Sequence, residues 1–148
     1  MRTILIATDG SDPANAAVAA GLELAAGEDA EIVFVHVISI LDLSPTTNGG
    51  NAPQRVPRVE DDPAICAALD LARANGVAAR TELLIGYAPK QILQVAQEIG
   101  ADLIVVGSRD LGRMKRAVLG STSHELLANS DRPVLVIRKA GVAEAVTA

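Results

Sequence analysis

The sequence predicts a single α/β domain built on an open parallel sheet. Four apolar runs rich in β-branched residues read as buried strands, helical patterns with their own stop signals lie between them, and most links are short. Such alternation joins parallel strands by right-handed crossovers, with helices on both faces of the sheet. At 148 residues the chain fits one domain, long enough to bury roughly 70% of its unfolded surface.

The first strand is expected over Thr3–Thr8, where Ile4, Leu5 and Ile6 form an unbroken apolar run. Ser11 or Asp12 can cap the helix that follows, and Pro13 suits its first turn. Gly27 is expected just past its end, as are Gly76 and Gly100 for the next two helices, since a left-handed residue is favoured there. The second strand spans Glu31–Ile38. A weaker strand, Ala79–Ile85, alternates less clearly. Ile92, Leu93, Ala96 and Ile99 then recur at helical spacing and give the third helix one apolar face. Leu103–Val106 and Val134–Ile137 complete the strands, with a short helical stretch from His124 to Ala128 between them. One link is long: from Ser39 to Asp62 the chain carries Pro45, Pro53 and Pro57 with Asn48-Gly49-Gly50, the composition of a lid or a disordered loop. Residues 1–140 thus make the domain, and 141–148, without turn or periodic signals, read as a loose tail.

Composition excludes several classes of function. Nearly half the residues are apolar, yet only Phe34 and Tyr87 are aromatic, so the core must be aliphatic. A formal net charge of −5 and the scarcity of stacking aromatics argue against nucleic acid as a partner. The lone Cys66 cannot close an internal disulfide, as in a reducing compartment. No apolar run approaches the roughly 18 residues that span a bilayer. No leader pattern precedes Ile4, so a cytoplasmic location without membrane partners is expected.

Positive charge is concentrated in one place. Between Gly107 and Ser123, Arg109, Arg113, Lys115 and Arg116 face one acid, Asp110, a local charge of +3 in an acidic chain. The segment follows a buried strand, is punctuated by Gly107, Gly112 and Gly120, and runs into a helix start. That arrangement aims backbone N–H groups at phosphate. In open parallel sheets, ligands sit beyond the carboxyl ends of the strands where the winding reverses. If the first and fourth strands adjoin there, Thr8-Asp9-Gly10 and Gly107 flank one crevice. Asp9 would accept hydrogen bonds from a ribose or base amine, and Gly107–Thr122 would supply the phosphate end.

Gly107-x4-Gly112 has Walker-loop glycine spacing, but Arg113-Met114 stand where Lys-Ser/Thr is required, so it is not one. No Gly-x-Gly-x-x-Gly follows the first strand, which sets aside a dehydrogenase-type dinucleotide fold. Ser123-His124 is not a nucleophile and its base, because adjacent helical residues do not face each other. Lys115 and Arg116 read as a solvated face. His36 reads as a strand-end histidine, Cys66 as a buried structural thiol, and Tyr87 as loop packing.

The pattern Gly107-x2-x-x9-Gly120-Ser121 resembles the Gly-x2-Gly-x9-Gly-Ser/Thr motif of the ATP-binding universal stress protein family. Ile4–Ser11, Val35-His36-Val37, Ala101–Arg109 and Arg132–Arg138 are similar to other segments of that family, so that nearly the whole chain apart from the Ser39–Asp62 loop is covered. The resemblance implies a Rossmann-like sheet of the adenine nucleotide alpha hydrolase kind, five parallel strands in order 3-2-1-4-5. It also implies ATP at the switch point, and a homodimer. Carried over by position, Ala7, Thr8 and Asp9 would line the adenosine side with Val37 and Val106 as apolar walls. Gly107, Ser108, Arg109, Gly112, Gly120, Ser121 and Thr122 would surround the ribose and phosphates. In that order the apolar Val134–Ile137 is an edge strand, and a twofold copy would cover it.

One departure from the motif stands out: Asp110 replaces its second glycine. A carboxylate about 6 Å from a phosphate costs about 3 kcal/mol per unit charge at an effective dielectric near 20, over a hundredfold in affinity. Arg109 and Arg113, or a bridging divalent cation such as magnesium, would offset it; alternatively Asp110 points to solvent. Three readings follow. In the first, the protein binds adenine nucleotide (ATP, with AMP and cyclic AMP open) and acts in stress response as a dimer. In the second, Asp110 has abolished binding and the protein works through protein contacts. In the third it is a slow ATP hydrolase, which ranks below the first because the sequence offers no base, catalytic lysine or metal cluster.

Overall fold

The computed structural model describes residues 1–40, 57–108 and 120–138, and the backbone of 143–146. Its strands are β1 (Thr3–Ala7), β2 (Glu31–Ile38), β3 (Ala79–Ile85), β4 (Leu103–Gly107), β5 (Val134–Ile137) and β6 (Ala143–Val146). The helices are α1 (Asp12–Glu28), α2 (Pro63–Ala74), α3 (Ala88–Ile99) and α4 (Ser121–Asn129). The sheet order is β3-β2-β1-β4-β5-β6. The first five strands are parallel, as expected, and β1 pairs with β2 on one side and β4 on the other. Successive residues of a strand face opposite sides, which divides the core in two. Ile4, Ile6, Ile32, Phe34 and Val105 pack with α1 and α2 residues such as Val18, Leu22 and Ile65. Leu5, Val33, Val35, Ile104 and Val106 pack with Ile92 and Ala96 of α3 and Leu126 of α4. Helices therefore cover both faces.

Four local expectations are corrected. Helix α1 runs through Gly27 to Glu28, and Asp29, at φ 52°, takes the left-handed position instead; aspartate tolerates that region, so no glycine is required. Helix α4 starts at Ser121, three residues before the expected His124. The end of the long link belongs to the scaffold: Val59–Asp61 forms a 3-10 turn, and the Asp62 carboxylate caps α2 by accepting from the Ile65 N–H. Residues 41–56, which hold the rest of that link, lie outside the described residues.

The fourth correction concerns the tail. Within 141–148, Ala143–Val146 is β6, antiparallel to β5 with Val134 opposite Val146 and Ile137 opposite Ala143. Val134–Ile137 is therefore not a free edge in this chain, because β6 takes the pairing positions along it.

Two close approaches set the geometry of the strand ends. Helix α1 lies so near β1 that a Cβ on Gly21 would stand 2.2 Å from Ile6 Cδ1. A Cβ on Gly107 would stand 2.3 Å from the Pro13 carbonyl oxygen. Glycine at 107 thus lets the end of β4 press against the first turn of α1, holding the β1–α1 and β4 ends together.

Candidate functional site

β1 and β4 end side by side at the point where the strand order reverses. The chain beyond β1 is held by one bond to β2 and a ladder of local ones. The Thr8 N–H donates to the Val35 carbonyl at 2.9 Å, the Gly10 N–H to Thr8 Oγ1 at 3.3 Å, and the Ser11 N–H to Asp9 Oδ1 at 2.9 Å. Gly10, at φ 80°, makes the turn that this ladder needs. Ser11 Oγ then accepts from the Ala14 N–H at 3.4 Å and caps α1.

Opposite this loop stands the start of α4. Gly120 is its N-cap residue, and the buried Ser123 hydroxyl donates to the Gly107 carbonyl at 3.3 Å. That bond fixes the helix N-terminus against the end of β4. The first N–H groups of a helix have no partner within it and carry the positive end of its dipole.

Between these pieces lies an open pocket with a cavity volume of about 130 Å³. Ala7, Thr8, Asp9, Val37, Val106, Gly107, Gly120, Ser121 and Thr122 all line it. Segments distant in sequence are thus brought to one mouth of the sheet. Ser108 does not join them: it is buried, and its N–H donates to the Ile137 carbonyl at 2.7 Å, a sheet role. Arg109, Asp110, Gly112, Arg113, Lys115 and Arg116 lie outside the described residues.

The pocket also takes in residues that the sequence did not single out for it. Val35, Ala88 and Ile92 extend its apolar wall, and Ser11, Ala14, His36 and Ser123 complete it. One side is therefore aliphatic and the other is a helix N-terminus with hydroxyls. Helical spacing marked Ile92 as core-facing; nothing marked it as lining a cavity.

His36 stands where β2 meets the pocket. Its Nδ1 lies 2.8 Å from Asp62 Oδ2, and both side chains are largely buried. An ionised carboxylate can only accept, so the hydrogen of that bond sits on Nδ1. Tyr87, expected to pack in a loop, is 58% exposed and donates its hydroxyl to the Glu125 carboxylate of α4. That bond, then the desolvation of the phenol and the negative charge of Glu125, hold its pKa above the ordinary value.

Other candidates lose their chemistry. The Ser123 hydroxyl is occupied by Gly107, and His124 is exposed beside it, so the two form no nucleophile and base. Cys66 is half-buried rather than buried, with Sγ 3.6 Å from the Val59 carbonyl and 3.5 Å from that of Glu60. Among the described residues there is no cluster of three or more His, Cys, Asp or Glu able to hold a metal, and no helix long and apolar enough to cross a membrane.

Known proteins resemble this chain in sequence and in fold. The universal stress protein YxiE of Bacillus subtilis is 33% identical over 144 residues, covering 91% of this chain and 97% of its own. A universal stress protein of Thermus aquaticus is 35% identical over 140 residues, covering 93% and 98%. Among solved structures, a universal stress protein in complex with cAMP superposes with a TM-score of 0.70 at 24% identity, over 93% of this chain and 97% of that one. A family protein of Arabidopsis thaliana with AMP bound gives 0.65 at 19% identity, over 93% and 92%. These likenesses establish the fold. With the family's own sequence model matching residues 1–138, the chain belongs to the universal stress protein family.

Proposed function

We propose that this protein is a cytoplasmic adenine-nucleotide-binding module, with ATP as its main ligand, that acts in stress response as a homodimer. One observation carries the proposal: the aliphatic wall of Val35, Val37, Ala88, Ile92 and Val106 shares a cavity with the α4 N-terminus and with Asp9. An adenine base belongs against the aliphatic wall, its ribose hydroxyls within reach of Asp9, and the phosphates at the N–H groups of Ser121, Thr122 and Ser123. Helix N-termini favour anions for the reasons of charge and unpaired donors given above. The cAMP and AMP found with the two structural neighbours are adenine nucleotides, which supports the same class of ligand here.

The proposed role is nucleotide binding, without hydrolysis. Magnesium, if it accompanies ATP, would be held chiefly by the phosphates themselves. Dimerisation through Val134–Ile137 requires β6 to give up its place on β5 or to exchange between copies.

Titration calorimetry with ATP, AMP and cyclic AMP, with and without magnesium, tests the proposal. Saturable 1:1 binding is expected, weakened about tenfold by Asp9→Asn through loss of a charge-assisted hydrogen bond. Absence of heat with all three nucleotides would overturn it. Asp110→Gly in the same assay reports on the aspartate of the altered motif: a sharp gain in ATP affinity shows that it faces the phosphates.

A further inference from the structure

The β3–α3 turn carries the chain's single tyrosine to the mouth of the pocket. The Gly86 N–H donates to the Ile38 carbonyl at 3.0 Å, which fastens the turn to the end of β2. Tyr87 is the N-cap residue of α3, and its carbonyl accepts from the Gln91 N–H at 3.1 Å. Its backbone is therefore fixed at both sides. The side chain is fixed too, because the hydroxyl is held by Glu125 across the gap between α3 and α4. Yet the residue remains 58% exposed.

An aromatic ring in this chain is a rarity, and only Phe34, fully buried, accompanies it. Tyr87 lines an outer cavity together with Ser39 and Pro89. That cavity and the inner pocket share Asp9, His36, Val37, Ala88, Ser121 and Thr122, so the two are parts of one space. Among the described residues, the inner part has an aliphatic wall with the His36 imidazole as its one ring, and no phenyl or phenol group. A planar base entering it would meet aliphatic side chains on the inner side and the Tyr87 ring on the outer side.

We infer that Tyr87 is a base-contacting, specificity-determining residue: its ring, moored by Glu125, closes the outer side of the adenine subsite. The inference rests on the nucleotide-binding reading and adds to it the residue that favours a planar base over the bare ribose phosphate. Bases stack on aromatic side chains through π-faces that any base possesses. The ring therefore contributes affinity for purine nucleotides without reading hydrogen-bonding edges. Glu125 acts through Tyr87 as a positioning residue, since its carboxylate sets where the ring stands.

The chain has one tyrosine and no tryptophan, so its intrinsic emission reports on Tyr87 directly. Adding AMP or ATP to the full-length protein should quench tyrosine emission along the same curve that calorimetry gives. Tyr87→Ala should weaken AMP and ATP about tenfold, the scale of one lost stacking contact, while the affinity for ribose 5-phosphate stays unchanged. Tyr87→Phe keeps the ring and should retain most of the affinity. Equal AMP affinity in wild type and Tyr87→Ala overturns the inference while leaving the nucleotide site intact. So does tyrosine emission that stays constant at saturation. If the wild type binds neither nucleotide, both readings fall together.

Discussion

Asp62 Oδ2 lies 2.8 Å from His36 Nδ1, while Oδ1 of the same carboxylate accepts the Ile65 N–H at 2.9 Å. One side chain thus caps the start of α2 and orients a ring at the pocket wall. Asp62→Ala removes an N-cap, which costs about 0.5–2 kcal/mol, and leaves a largely buried imidazole N–H without its partner, about 1–3 kcal/mol more. Asp62→Asn keeps a good capping oxygen and should lose less than half as much. Urea denaturation of the two variants checks this, and equal losses would show that capping is not the main contribution.

Gly107 and Gly27 make an opposed pair. A Cβ at 107 meets the Pro13 carbonyl oxygen at 2.3 Å, its carbon at 2.4 Å and the Ala14 nitrogen at 2.8 Å, all backbone atoms. Gly107→Ala must therefore push β4 and α1 apart, at a cost of about 1–3 kcal/mol or more. Gly27 lies inside α1 with nothing within 4 Å of an added Cβ. Gly27→Ala should stabilise by about 0.5–1 kcal/mol through lower backbone entropy in the unfolded chain. Thermal melts of both variants, moving in opposite directions, are the expected result.

These contrasts also show what the sequence could and could not reveal. Ile4, Leu5 and Ile6 announced a buried central strand because residues on both of its faces are covered. β3 announced itself weakly because it is an edge strand with no fully buried residue. β6 left no local signal: its Ala-Glu-Ala-Val has little strand preference, and only its pairing with β5 makes it a strand. The meeting of Asp9 with Gly107 was legible because topology places both at a switch point. The partners of His36 and Tyr87, 26 and 38 residues away, obey no spacing rule. They follow from how the helix starts settle around the pocket.

The phenol of Tyr87 should titrate above its ordinary value of 10.0, since the Glu125 carboxylate accepts from the neutral form and repels the phenolate. A raised folded-state pKa means that the bond stabilises the fold below the unfolded value and is lost as pH rises through the folded one. Ultraviolet absorbance of the phenolate gives the titration of this one tyrosine directly. Glu125→Gln should bring the midpoint down, and an unmoved midpoint would show that the bond is not formed in solution.

Asp102 supplies the opposite case at the other end of the sheet. Its Oδ2 accepts from the Arg2 N–H at 2.8 Å and the Thr3 N–H at 3.0 Å, and these two bonds hold its pKa below the ordinary value of 3.8. A depressed carboxylate pKa contributes stability that is present above the unfolded value and fades as pH falls through the folded one. Asp102→Asn should therefore flatten the acid limb of the stability curve below about pH 4 and leave its alkaline limb alone. The carboxylate is exposed, so the change should be modest.

The edge of the sheet decides how two copies can meet. An uncovered apolar strand offers a full row of N–H and C=O groups to another chain, but here Val134–Ile137 already spends one side of that row on β6. Two copies cannot pair directly through β5 while both keep β6 in place. Removing residues 141–148 should expose Val134–Ile137 and promote self-association at lower protein concentration than the full chain needs. Sedimentation velocity over a concentration series measures the shift. If the full chain and the shortened one associate identically, then β6 does not guard this edge in solution, and any dimer forms through another face.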